Sequence, residues 1–131
     1  MGEGGFTSES FLRLTGKSSD GMYSWEYGLP LSRLARAAEL DQKMRTRFGT
    51  GIVQFAPLAY DAAWAMINAM KAANSTNPRE YLRTLRQVHF DGVTGPIAFT
   101  ERGDLETASA TLYQQQSGKW VVLGVEQTTS K

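Results

Sequence analysis

The stretch FDGVTGPIAFTERGD, Phe90 to Asp104, sets two glycines, a proline and an acidic turn around one short apolar run, Ile97-Ala98-Phe99. A strand that short is stable only when neighbours cover its edges and faces. The segments on either side decide what those neighbours can be. Upstream, NSTNPREYLRTLRQV reads as a helix with Asn77 as cap, Pro78 in the first helical position, and Tyr81, Leu82, Leu85 and Val88 on one side. Downstream, ASATLYQQQ and KWVVLGV read as two strands joined by the tight turn Ser117-Gly118, a β-hairpin.

Further upstream, Pro57 suits the first turn of a Leu58 to Ala73 helix that is apolar on most sides and should be covered by more than one neighbour. From Leu31 to Phe48, apolar residues recur at Leu31, Leu34, Ala35, Ala38, Met44 and Phe48, which predicts an amphipathic helix ended by Gly49. TGIVQFAP, between the two helices, is an extended approach. Near the start, GEGG is a loop by composition. FTSESFLRLTG then offers Thr7 or Ser8 as N-cap, Phe11 and Leu14 on one face, and Gly16 as a stop. MYSWEY, Met22 to Tyr27, is aromatic-rich and alternating, as a strand is. The chain is therefore mixed α/β with few strands for its helical area. That count suggests a piece of something larger, or an assembly of several copies.

At 131 residues, 41% hydrophobic and 21% charged, the composition is that of a globular domain. A formal net charge of +1 with mixed signs leaves no footprint for nucleic acid or an anionic membrane. The absence of cysteine rules out a disulfide framework and thiolate metal sites. MGEGGFTSES lacks a basic start followed by an apolar run, so no export signal is expected in it. Ala56 to Met70, the most apolar stretch, is shorter than the roughly 20 residues that span a bilayer and contains Asp61 and Asn68.

Ala59 to Trp120 carries AYDA, then A-N-S-x-x-P, then F-x-G-x-x-G-x-I-x-F-x-x-x-G-D, and ends in LYQ...GKW. In this order these motifs resemble the C-terminal portion of the periplasmic substrate-binding proteins of branched-chain amino-acid ABC transporters. The resemblance extends back to GEGG and so covers essentially the whole chain. It implies the type I periplasmic-binding fold, two doubly wound α/β lobes joined by three hinge strands, of which this chain matches about the last third. Residues 1–27 would belong to the second lobe, 28–104 to the first, and 105–131 would return to the second as the closing hairpin. Ile97 to Phe99 would then lie against parent strands that are absent here. Self-association, making a homo-oligomer, would substitute for them.

The same resemblance implies a small amino-acid ligand, an ABC permease as partner, a periplasmic location for the parent, and no cofactor or catalysis. It places Glu3 where an acidic residue accepts the ligand's α-ammonium, and Phe55 where an aromatic ring lines the ligand's side chain. Other ligand contacts of the family would lie outside this chain, which is expected to bind such ligands weakly or not at all. The alternative is a self-associating α/β module without a ligand site. Enzyme signals are thin. His89, the only histidine, has no nearby ligand set or nucleophile motif. GEGG lacks the spacing of a dinucleotide fingerprint. ERGD reads as turn chemistry. Asp61, on an apolar helix, needs a buried partner or the helix N-terminus to satisfy it.

Overall fold

The structure, a computed structural model, describes residues 1–53 and 55–129; the side chain of Glu3 lies outside the description. The chain divides into two compact units, Met1–Arg33 with Ser109–Thr128, and Leu34–Ala108.

The first unit is built on a four-stranded sheet in the order β1-β2-β5-β6. β1 (Gly2–Glu3) runs parallel to β2 (Tyr23–Tyr27), with Gly2 opposite Ser24 and Glu3 opposite Trp25. GEGG therefore opens with a two-residue strand before it becomes a loop. β2 pairs antiparallel with β5 (Thr107–Gln116), from Tyr23 opposite Gln114 to Tyr27 opposite Ala110. β5 turns through Ser117 and Gly118 into β6 (Lys119–Thr129). Both turn residues have positive φ, 51° and 81°, as a two-residue hairpin turn of the right twist requires.

Between β1 and β2 lies α1 (Glu9–Thr15), whose Ser8 cap accepts from the Phe11 N–H at 3.2 Å, with Gly16 at φ 53° closing it. The expected Phe11–Leu14 face does not form. Phe11 stacks edge-on against Phe6, with ring centres 5.2 Å apart, and lies 6.3 Å from the Trp120 ring, whereas Leu14 is 87% exposed. Two turns of helix held through a single aromatic leave the other apolar residue in water.

The second unit contains α2 (Ala37–Phe48), α3 (Ala56–Ala73), α4 (Pro78–Leu85) and a two-stranded sheet of β3 (His89–Asp91) and β4 (Pro96–Ala98). α2 starts six residues later than the periodicity suggests, because Leu31–Arg33 forms a separate 3-10 turn. A 3-10 turn also brings residues three apart into line, so the apolar spacing does not distinguish the two. The partner of the Ile97 run lies within the same stretch of sequence. β4 pairs antiparallel with β3, His89 opposite Ala98, Phe90 opposite Ile97 and Asp91 opposite Pro96. One neighbour of this run is therefore supplied by the chain itself. Asp91 to Pro96 is a hairpin closed by Gly92 N–H bonding to the Gly95 carbonyl at 2.9 Å. Gly95 sits at φ 127°, which a side chain would resist. Downstream, ERGD makes the turn read for it: Thr100 N–H bonds to the Asp104 carbonyl, Gly103 N–H returns to Thr100, and Phe99 bridges Leu105.

The core of this unit is Ala65 and Ala69 from α3, Val88, and Ile97 from β4, flanked by Tyr81, Leu85, Phe90 and Phe99. The Thr84 hydroxyl donates to the Ala69 carbonyl at 2.9 Å and ties α4 to α3. Asp61, 3% exposed, accepts from Val93 N–H at 2.8 Å, Thr94 N–H at 2.7 Å and the Thr94 hydroxyl at 2.6 Å. Its partner is therefore the β3–β4 turn. A Cβ on Gly92 would stand 2.5 Å from an Asp61 carboxylate oxygen, so the approach needs glycine. Replacing Asp61 by Ala strands the buried Val93 N–H and the half-buried Thr94 N–H and removes three charge-assisted bonds, a loss of about 3 kcal/mol or more. A thermal melt of Asp61→Ala should shift down by about 10 °C; an unchanged midpoint would show that the turn holds without its carboxylate.

Candidate functional site

The two residues singled out for ligand contact fall in different units, Glu3 in the first and Phe55 in the second. In each unit a carboxylate holds main chain close to it in sequence, at Gly5 and Thr7 in one and at Ile52 in the other.

In the first unit, Gly2 is buried where a Cβ would meet the Met22 methyl and the Phe6 ring at 2.8 Å. After β1 the backbone turns through Gly4 (φ 45°) and Gly5 (φ 94°), and Gly4 N–H bonds to the Trp25 carbonyl at 3.1 Å. Glu26 in β2 receives the rest of the loop: Gly5 N–H at 3.3 Å, Thr7 N–H at 3.4 Å, and the Ser24 hydroxyl at 3.4 Å. The main chain at Glu3 is thereby set between the β1–β2 pairing and the Glu26 carboxylate. How the Glu3 side chain is aimed lies outside the described residues.

The face of the sheet that holds Glu26 is polar and buried. Ser24 is fully buried, Glu26 8% exposed, Thr111 and Gln115 1% each. Pairing puts Ser24 opposite Tyr113 and Glu26 opposite Thr111 on this face. The Thr111 hydroxyl donates to the Gly28 carbonyl at 2.7 Å. Burial, and then the nearby Glu26 charge, push the Tyr113 phenol above its ordinary value. The Gln115 amide and the Trp120 indole N–H are buried with no hydrogen-bond partner among the described residues.

In the second unit, Phe55 stands at the N-terminal boundary of α3, accepts the Ala59 N–H at 2.9 Å through its carbonyl, and is 42% exposed. Asp41 on α2 governs the chain just before it. One carboxylate oxygen accepts the Arg45 Nε–H at 2.6 Å, and the other accepts the Ile52 N–H at 2.8 Å. A Cβ on Gly51 would collide with Asp41 and Arg45, so the loop passes close to this pair only because residue 51 is glycine. The Arg45 bond, then the Ile52 bond, hold the Asp41 carboxyl below its usual value.

Sequence reasoning singled out Glu3 and Phe55 but not the two carboxylates behind them. The Asp41–Arg45 pair was legible as an i,i+4 spacing, and its reach to Ile52, eleven residues on, was not. For Glu26 the alternation of MYSWEY set Ser24 and Glu26 on one face and the aromatics on the other, and the polar face is the buried one. His89 is exposed in β3, and among the described residues no three His, Cys, Asp or Glu side chains cluster as metal ligands. No helix among them is long and apolar enough to cross a membrane.

A family model described as periplasmic binding protein matches residues 2–119. The chain belongs to the periplasmic binding protein family. Among curated relatives, it is 28% identical over 123 residues to the leucine-, isoleucine-, valine-, threonine- and alanine-binding protein of Pseudomonas aeruginosa, a match covering 87% of this chain and 30% of the relative. It is 30% identical over 91 residues to γ-aminobutyric acid type B receptor subunit 1 of Caenorhabditis elegans, covering 57% of this chain and 10% of the receptor. Among solved structures, a leucine-binding protein of Thermotoga maritima superposes with a TM-score of 0.76 at 18% identity, covering 94% of this chain and 35% of that one. A solute-binding protein of R. palustris, solved with benzoate, gives 0.69 at 18% identity over 99% of this chain and 37% of that one. The type I periplasmic-binding fold follows from these superpositions, and the chain spans about a third of the length of most of these relatives.

Asp41 lends itself to a direct test. Its carboxyl is held below the usual value, so its contribution is present above the ordinary carboxylate range and is lost as pH falls through the lowered value. Exposure and salt weaken it. Asp41→Asn should speed hydrogen exchange at the Ile52 amide at neutral pH and remove its acid dependence. Equal exchange in both proteins would dismiss Asp41 as the latch.

Proposed function

We propose that this chain is part of the substrate-binding component of an ABC transporter that captures branched-chain or related aliphatic amino acids for a membrane permease. The observation that carries this is the glycine loop around Glu3, whose main chain is held to β2 and Glu26, within a chain matched to periplasmic binding proteins. On this proposal Glu3 accepts the ligand's α-ammonium by a charge-assisted bond, and Phe55 lines its side chain. Residues 1–27 and 105–131 belong to one lobe and 28–104 to the other. The names of the Pseudomonas relative and of the leucine-bound Desulfitobacterium hafniense neighbour support this ligand class. An ammonium at Glu3 also separates it from benzoate, which carries no cation for that carboxylate to meet. The parent works in the periplasm by closure on the ligand, without a covalent step.

Calorimetry with leucine, isoleucine, valine and benzoate tests the proposal. For this chain alone, feeble or absent binding is expected, since the remaining contacts lie elsewhere. In a longer polypeptide that includes them, Glu3→Ala should weaken leucine binding roughly tenfold to a hundredfold, the value of one charged hydrogen bond. Tight binding indifferent to both Glu3→Ala and Phe55→Ala would refute the assignment.

A second reading is self-association into a homo-oligomer. It is favoured by large apolar side chains left exposed in both units, Tyr23 at 42% and Leu123 at 47% in one, Trp64 at 40% and Ile67 at 38% in the other. Light scattering on the purified chain should then give a dimer or larger mass, and a monomer at all concentrations would end this reading.

A further inference from the structure

Glu26 is an unusual residue to find inside a sheet face. It is 8% exposed, and among the described residues no lysine or arginine stands within ion-pair distance of it. Burying a carboxylate without a cation is costly unless hydrogen bonds replace the lost water. Among the described residues the donors that do so are weakly placed: two backbone N–H groups of the glycine loop at 3.3 and 3.4 Å and the Ser24 hydroxyl at 3.4 Å. A carboxylate has about four acceptor positions, so three long bonds leave it under-satisfied and its charge unneutralised. The neighbouring groups on the face, Thr111 and Tyr113, bring no cation either.

We infer that Glu26 is a positioning residue for ligand capture, which draws the Gly4-Gly5 loop onto β2 and sets negative charge behind it, so that the loop takes a cationic group and not an anionic one. This rests on the amino-acid-binding assignment above and deepens it by naming what shapes and polarises the Glu3 loop. The chemistry is economical. The loop needs positive-φ glycines for its path, and such a segment is mobile unless its N–H groups are held. A carboxylate holds two at once and adds the sign of charge that an ammonium seeks. The long bonds also leave the loop room to shorten them when a ligand arrives.

The experiment is residue-resolved amide hydrogen exchange on the chain, in the wild type, Glu26→Gln and Glu26→Asp, with leucine affinity measured in the longer polypeptide. In Glu26→Gln, the Gly5 and Thr7 amides should exchange about tenfold faster or more, as loss of a charged acceptor implies. Amides in the β2–β5 pairing, such as Trp25 and Leu112, should be unchanged. Glu26→Asp, which keeps the charge one methylene back, should recover part of the protection, and a filler role would not be rescued by charge. Leucine affinity should fall with Glu26→Gln while benzoate gains or stays level. Unchanged Gly5 and Thr7 exchange, or equal loosening of the whole sheet, overturns the positioning role. If Glu26→Gln fails to fold, Glu26→Asp alone decides, since faster exchange confined to Gly5 and Thr7 supports the role and uniform exchange rejects it. Absence of leucine binding in the wild type sinks the amino-acid assignment instead, and the amide data still judge the loop.

Discussion

In the second unit the Asp61 carboxylate gathers Val93 N–H, Thr94 N–H and the Thr94 hydroxyl at 2.6 to 2.8 Å, and so ties α3 to the turn between β3 and β4. In a low-dielectric interior a carboxylate and backbone amides satisfy one another more strongly than neutral pairs do. The bonds fix the turn between β3 and β4. The fixed turn sets the register that puts Ile97 opposite Phe90, and Ile97 then packs on Ala65, Ala69 and Val88. A polar contact therefore decides where the apolar core forms. Glycine at 92 is part of the same constraint, because any side chain there would occupy the space of the carboxylate.

The first unit uses the same device with a different tension. Glu26 also holds backbone N–H groups of a glycine loop, but at 3.3 to 3.4 Å against 2.6 to 2.8 Å for Asp61. Hydrogen bonds weaken as they lengthen. Asp61 thus holds its turn by the shorter bonds and Glu26 its loop by the longer ones.

Much of this was legible in the residues. Ser8 and Gly16 bound α1, Asn77 and Pro78 open α4, and Ser117-Gly118 joins β5 to β6, all from local chemistry that a sequence displays directly. What escaped depends on distance along the chain. The short β3 hid in the tail of a helical pattern, because Val88, read as the last helical position, is buried beside Ile97 instead. Its discovery supplies the missing neighbour of the Ile97 run. Asp61 was visible as an anomaly on an apolar helix, but its partner lies 32 and 33 residues away. In β2 the period was plain and the direction was not, since aromatic residues usually mark the inner face and here Ser24 and Glu26 take it.

The same inversion explains what each unit leaves outside. α3 is apolar nearly all round, yet its buried positions are Pro57, Asp61, Ala65 and Ala69, while Trp64, Met66 and Ile67 remain at 38 to 40% exposure. Ala65 and Ala69 face the unit's own core, and Trp64, Met66 and Ile67 face away. An α-helix of that kind packs closely on one side through alanines and presents its larger area to a further layer. In β2 the buried face is likewise the polar one, and Tyr23 points its ring to solvent. Apolar area drives association in proportion to its size, so whatever covers these faces has more to gain than the contacts already made. The chain spans about a third of the length of its Pseudomonas relative and of the superposed binding proteins. Local polar contacts hold the glycine turns of each unit, while Trp64, Met66 and Ile67 of α3 stay at the surface of theirs.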